Sequence, residues 1–443
     1  MAITLPKPIT VGDTLGNLRD HVQADGQTIS LTESGTLVGD ANALLDHAAG
    51  GDDALSIRAS SSDGAVGIGD AITIADHAHG GNDTVSTGVG ITGATLTIIA
   101  LGDAITMSGH GQGGDDTVTA TAVVSPVAYG DAYTMDGHAQ GGNDTVVAGA
   151  TANSFAYGDA QTMSGFAHGG DDSVTASARA DATAYGDAQT ISGNSQGGND
   201  DVTVTTIFGS VAAYGDAQLI TDDGKGGDDV VSSTAVGATL YGDAQTMNGH
   251  AVGGNDTVTG GNLGTSVYGD AQTLSDYAVG GNDTISGGFL DALSYGDAQT
   301  LSGFAVGGND TISGGTQMYG DGAQLLDHAK GGNDTLISQG GDEQMWGDAA
   351  TVAPTAQTGA DTFVFSLALI DSPSPAIGHD TIMDFEPGQD HIQIQGFENI
   401  TNFADVQSHT TDTGQGSLIA IDANDSILVA NDHNLTSSDF AIT

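Results

Sequence analysis

The chain has 443 residues, with 53 Asp, four Glu, six Lys plus Arg and no Cys, giving a formal charge of −51. That balance excludes nucleic acid as a partner, and the lack of Cys excludes disulfides and thiol chemistry. Solubility alone would be served equally by Glu, so the excess of Asp needs another cause; its short carboxylate suits tight turns and is a hard oxygen ligand for Ca²⁺.

Residues 1–26 lack the charged start and continuous apolar run of a secretory signal peptide. No segment is apolar for long enough to span a bilayer, so a soluble protein without a transmembrane segment is expected. Residues 1–37 are expected to form an N-terminal cap or the start of a repeat structure.

From residue 38 to 361 one frame recurs twelve times, as in YGDAQTMNGHAVGGNDTVTGGNLGTSV (241–267) and YGDAQTLSDYAVGGNDTISGGFLDALS (268–294). Its Gly-Asp anchors fall at Asp40, Asp70, Asp103, Asp131, Asp159, Asp187, Asp216, Asp243, Asp270, Asp297, Asp321 and Asp348, spaced by 24 to 33 residues. Three apolar positions recur in each unit: before Gly-Asp (Val38, Ile68, Leu101, then Tyr129 to Tyr319 and Trp346), four residues after that Asp (Met107, Met135, Ile191, Leu274), and after Asn-Asp-Thr (Val85, Val118, Ile285, Leu336). Short β-branched or aromatic segments between Gly-rich turns read as strands. A unit this small cannot bury its own apolar face, so the units must stack. The prediction is an all-β, parallel β-solenoid, β-roll-like, of about twelve coils with a small C-terminal β cap, its interior built of ladders of like residues. His47, His77, His110, His138, His250 and His328 recur three residues before the double Gly, exchanging with Phe166, Asn194, Tyr277 and Phe304. That exchange argues against a transition-metal site and for half-buried turn residues.

The turn before the third segment reads Gly-Gly-(Asn/Asp)-Asp, placing Asp53, Asp83, Asp116, Asp144, Asp172, Asp200, Asp229, Asp256, Asp283, Asp310 and Asp334 in register, with Asp361 at the last repeat. Glycines allow a sharp turn that aims carbonyl oxygens inward, and Asp adds charge, so successive coils together would make an oxygen cage for Ca²⁺. Asx turns alone would explain the turn chemistry, but not so much like charge in one column. This pattern resembles the repeats-in-toxin, or hemolysin-type calcium-binding, nonapeptide Gly-Gly-x-Gly-x-Asp-x-apolar-x, whose second half matches GNDTVTGG at 254–261. The resemblance implies that Asp256 and its equivalents are Ca²⁺ ligands. The unit departs from the family in its length and in having Tyr-Gly-Asp-Ala where a second Gly-rich turn would stand; the Gly-Asp carboxylates are taken as further candidate ligands.

Beyond Gly359 the period stops, and residues 362–443 read as a C-terminal cap whose alternation in HIQIQ and DSILVA gives short strands. The run GHDTIMDFEPGQDHIQI (378–394) resembles the closing module of exported members of this family, and LTSSDFAIT resembles their uncleaved C-terminal signal. This implies type I export through an ABC-type exporter, a Gram-negative source and an extracellular or cell-surface location.

No His-Glu-x-x-His motif, Gly-x-Ser-x-Gly elbow or phosphate loop occurs, and paired Asp that repeat in every unit are a poor basis for one active site. The expectation is therefore not an enzyme but a structural protein that self-assembles as a homo-oligomer or polymer into a surface layer, filament or matrix. The alternative is a calcium-dependent adhesin for a surface ligand such as a cell-surface glycan.

Overall fold

The computed structural model describes residues 3–60, 64–89, 98–370 and 375–443. The chain is an all-β parallel solenoid of about 13 turns, 3% helical, ending in an antiparallel cap. It divides into two compact units, Met1–Ala235 and Val236–Thr443. Among the described residues, strands come three to a coil, with eight coils in the first unit and five in the second.

Each coil follows one itinerary. In one coil of the first unit, Ser154–Tyr157 joins the first sheet, Ala160–Met163 the second, and Ser173–Ala178 the third. Coils stack in register, pairing Tyr129 with Tyr157, Tyr157 with Tyr185, Met135 with Met163, and Val146 with Val174. The ladders of like residues expected from the sequence are present. Tyr129, Tyr157, Tyr185 and Tyr214 stack with ring centroids 4.7–4.8 Å apart. In the second unit Tyr241 to Tyr319 and Trp346 repeat the arrangement at 4.5–5.0 Å. Apart from Trp346 and Val352 in the last coil, which are partly exposed, these rings, the Met ladder and the third-strand Val and Ile are buried, so the three recurring apolar positions are core.

In the first unit sheets one and three lie against each other, and the sheet-one residues at that contact are small, as at Gly67, Ala100, Ala128 and Ala156; a Cβ on Gly67 would collide with Val85 and crowd Thr87. The second strand instead leads outward. It ends in a tight turn whose apex residue has positive φ, either Asp (Asp46, Asp76) or Gly (Gly137, Gly165). The chain then returns through single parallel bridges, such as Gln112 to Gln140 to His168, into the double-Gly turn. This excursion brings the Gly-Asp turn and the Gly-Gly turn of one coil side by side.

The first coil is one that the repeat frame did not count. It is built from Ile9–Val11, Thr14–Leu18 and Thr28–Leu31 on the sequence Val11-Gly12-Asp13. The last coil takes Thr362–Ser366 as its third strand. Beyond it His379–Ile382 and His391–Gln395 continue sheets one and three. The antiparallel strands Thr410–Thr413, Gly416–Ala420 and Ser426–Ala430, with the short helix Phe403–His409, then complete the cap.

The histidines differ from expectation. His47, His77, His110, His138, His250 and His328 are exposed rather than half-buried. Each follows the positive-φ apex, which throws it outward, and its ring faces are covered by the equivalent rings of neighbouring coils at 4.7–5.2 Å.

Candidate metal centre

Both Asp columns named from the sequence lie inside the corner formed by the two turns. The first file, Asp40 to Asp216 in the first unit and Asp243 to Asp348 in the second, is almost wholly buried. Each of its carboxylates accepts an amide N–H from the residue eleven positions on in the same coil, the second Gly of the double-Gly turn as from Gly51 to Asp40 and Gly170 to Asp159, and Gly359 after Thr358 in the last coil, at 2.5–3.2 Å. The second file, Asp53 to Asp229 and Asp256 to Asp361, is equally buried. Its carboxylates take the backbone N–H of the equivalent residue one coil earlier, as from Asp144 to Asp172 and Asp283 to Asp310, at 2.6–2.8 Å. The two files thus tie coils together in different directions.

One oxygen of most of these carboxylates is left over. Oδ2 of Asp131, Asp159 and Asp187 in the first file, and of Asp116, Asp144 and Asp172 in the second, is buried with no hydrogen-bond donor. The neighbours along the file are other carboxylates, and two ionised carboxylates have no proton between them. The oxygens face glycine backbone. A Cβ on Gly158 would collide with both Asp172 Oδ2 and the Gly186 carbonyl, and one on Gly141 with carboxylate oxygens of Asp131 and Asp159 from two successive coils. Glycine is required here for close approach, and carboxylate and carbonyl oxygens of coil n and coil n+1 meet beside it.

The electrostatics follow from that crowding. Burial, then the neighbouring Asp40 charge, pushes Asp53 up to about 7. Burial pushes Asp83 up to about 8, and burial with the Asp348 charge pushes Asp361 up to about 9. In the middle coils Asp144 and Asp159 are raised well above the carboxylate range by burial first and by their Asp neighbours second. No Lys or Arg forms an ion pair with Asp131, Asp144, Asp159 or Asp172. Buried like charges with orphaned oxygens call for a cation to replace the missing donors. The donor set of carboxylate and carbonyl oxygens is that of a hard cation such as Ca²⁺. Among the described residues no group of three or more Asp, Glu, His or Cys converges as a side-chain metal cage, so main-chain carbonyls must complete any site.

Histidine supplies no alternative. His77, His79, His110 and His138 border a cleft of about 230 Å³. Their rings stack with centroids 4.7–4.9 Å apart instead of turning toward a common point, and among the described residues no three His, Asp, Glu or Cys side chains converge.

A third file runs outside the corner. In the first unit it alternates Asp52, Asn82, Asp115, Asn143, Asp171, Asn199, Asp228, each backbone N–H bonding the preceding side chain. In the second unit it is all amide, Asn255, Asn282, Asn309 and Asn333, with side-chain to side-chain bonds of 2.9 Å.

A family model described as Peptidase M10 serralysin C terminal matches residues 49–443. The chain belongs to this family. The match is to the C-terminal repeat part of the serralysins and not to their catalytic domain. The repeats of such proteins are of the repeats-in-toxin type, a calcium-binding family, in agreement with the resemblance carried by GNDTVTGG. No curated protein and no solved structure matches the chain.

Within this serralysin-type solenoid, several corner residues escaped the repeat frame. Asp13 is the first-file residue of the first coil, accepting the Asp25 amide at 3.1 Å. Beyond the last coil Asp384 accepts from Gly347 and Asp348, and Asp390 from Asp361 and Glu386. The Gly-Asp step at 12–13 and the DFEPGQD run were the signals available for them. A buried acid pair, Glu343 with Asp380, sits apart from both files; burial and the Glu343 charge push Asp380 up to about 10.

Proposed function

We propose that this chain is a secreted calcium-binding repeat protein that folds on export and acts as a non-enzymatic structural protein of the cell surface or extracellular matrix. The observation that carries the reading is the pair of buried carboxylate files in which a second oxygen, as at Asp116, Asp131, Asp144, Asp159 and Asp172, has no donor. Asp53, Asp83, Asp116, Asp144, Asp172 and their equivalents, with first-file partners such as Asp131 and Asp159, would hold Ca²⁺ together with glycine carbonyls. When bound, the ion supplies positive charge and oxygen coordination at the oxygens left over. The files' own repulsion keeps the chain unfolded where Ca²⁺ is scarce, which suits passage through an ABC-type exporter. The family match supports export, and a match to the repeat part rather than the catalytic part supports a role without catalysis.

The alternative, a calcium-dependent adhesin, is favoured by one feature: in the second unit Tyr277 and Phe304 lie stacked and about half exposed, at 53% and 50%. Circular dichroism and light scattering during Ca²⁺ titration of chelated protein test both readings. A coil-to-β transition with growing particles supports the structural role. The same transition with a particle that stays monomeric and binds cells or glycans supports adhesion. β structure already complete in chelator and indifferent to Ca²⁺ overturns the calcium reading.

A further inference from the structure

The two ends of the carboxylate files are built differently from their interiors. In the first coil Gln27 stands in the second-file position: its Oε1 faces Gly12 as Asp53 Oδ2 faces Gly39 in the next coil. Its amide Nε2 donates to Asp13 Oδ1, while the Asp25 N–H takes Asp13 Oδ2. Asp13 therefore has both oxygens satisfied by protein N–H groups, whereas its equivalent Asp40 has a buried oxygen with no donor.

At the other end the same solution recurs with different residues. Gln389 Nε2 donates to the Gly359 carbonyl, to Glu386 Oε2 at 2.7 Å and to Thr358 Oγ1 at 3.3 Å. Gly359 occupies in the last coil the place of Gly308 and Gly332, whose carbonyls take no backbone N–H. Asp390 and Asp384 each receive two main-chain N–H groups, so neither has an oxygen left over; the last orphaned oxygen of the second file, Asp361 Oδ2, lies one turn further in.

An amide NH₂ and a cation are alternatives for the same oxygens: each places positive charge against carboxylate and carbonyl lone pairs, but the amide is fixed in the chain and needs no metal. We infer that Gln27 and Gln389 are amide plugs that take the place of a cation at the two ends of the files. They set where the ion-binding stretch stops and leave the end turns closed without metal. This rests on the calcium reading of the interior.

The test counts bound Ca²⁺ per chain by equilibrium dialysis and native mass spectrometry on the full-length protein and on Gln27→Glu, Gln389→Glu and the double variant. A carboxylate in place of either amide removes the donor and adds a ligand, so each single variant is expected to bind one more Ca²⁺ and the double variant two more. Gln27→Met, which removes the donor without adding a ligand, is expected to bind the wild-type number while its first coil exchanges amide hydrogens faster. Wild-type counts in the Glu variants would overturn the plugs, and so would unchanged exchange in Gln27→Met. Wild-type protein that binds no Ca²⁺ would instead overturn the underlying calcium reading, so the two failures are distinguishable. If one Glu variant does not fold, the other end decides independently.

Discussion

A single Asp in either file is held by one backbone N–H and crowded by carboxylates above and below, so its protonation state is set by what fills the remaining space. With no cation, Asp40 is raised to about 6, Asp53 to about 7, Asp83 to about 8 and Asp361 to about 9, burial being the first cause in each. An unfolded Asp titrates near 3.9, so the folded chain holds extra protons. The resulting stability is complete below about pH 4 and drains away as pH rises through 6 to 9. Chelated protein is therefore expected to show β-type circular dichroism near pH 4 and to lose it by pH 9; a chelated chain equally folded at both would contradict the burial of these groups. Replacing one carboxylate, Asp172→Asn, should act with opposite signs. In chelator it relieves repulsion and raises the melting temperature. With free Ca²⁺ about 100-fold above Kd it forfeits roughly 2–3 kcal/mol of linked stability, read as a lower denaturant midpoint.

At the scale of the coil the corner is invariant and the rest is not. Thirteen residues separate the two file positions in every repeat from Asp40/Asp53 to Asp348/Asp361, while anchor spacing varies from 24 to 33. The variation falls between the third strand of one coil and the first of the next, for example Thr259 to Ser266 against Ser313 to Gln317. One Gly inserted at 208–209 should leave calcium-dependent folding unchanged. The same insertion at 195–196, between Asp187 and Asp200, should slip the register and abolish it; hydrogen exchange of the flanking coils separates the outcomes. This constancy is why strands, ladders and both Asp files were legible in the sequence. The first coil was not, because fourteen residues separate Asp13 from Gln27. The extra residue is absorbed by a shift of register between Thr14 and Asn17. The outward His side chains were also misjudged, since an Asp or Gly at the preceding position does not reveal the positive φ that turns them away from the core. Contacts of Gln389 and Asp390 depend on how the cap folds back, which no repeat spells out.

Over the whole chain a formal charge of −51 has to be met by something other than its own six Lys and Arg. Dissolved salt screens exposed charge over about 8 Å at physiological ionic strength but reaches buried groups much less. Molar NaCl should therefore fail to replace millimolar Ca²⁺ in restoring β structure to chelated protein; folding by NaCl alone would mean that surface repulsion, not the buried files, keeps the chain open. Within each unit neighbouring coils share the oxygens around any site, so filling one helps to order the next. The Ca²⁺ titration followed by circular dichroism should accordingly be steeper than that of independent sites.

The outer file of the first unit gives this charge a second, quieter arrangement. Because Asp and Asn alternate there, from Asp52 and Asn82 to Asp228, ionised side chains recur only in every second coil. At about 4.8 Å per coil they stand roughly 9.6 Å apart, beyond the physiological screening length. Each is nearly blind to the next. The outer edge of the double-Gly turn is thus electrically diluted by a two-coil rhythm, while the two files behind it carry a carboxylate in every coil, buried against glycine backbone and beyond the reach of mobile salt.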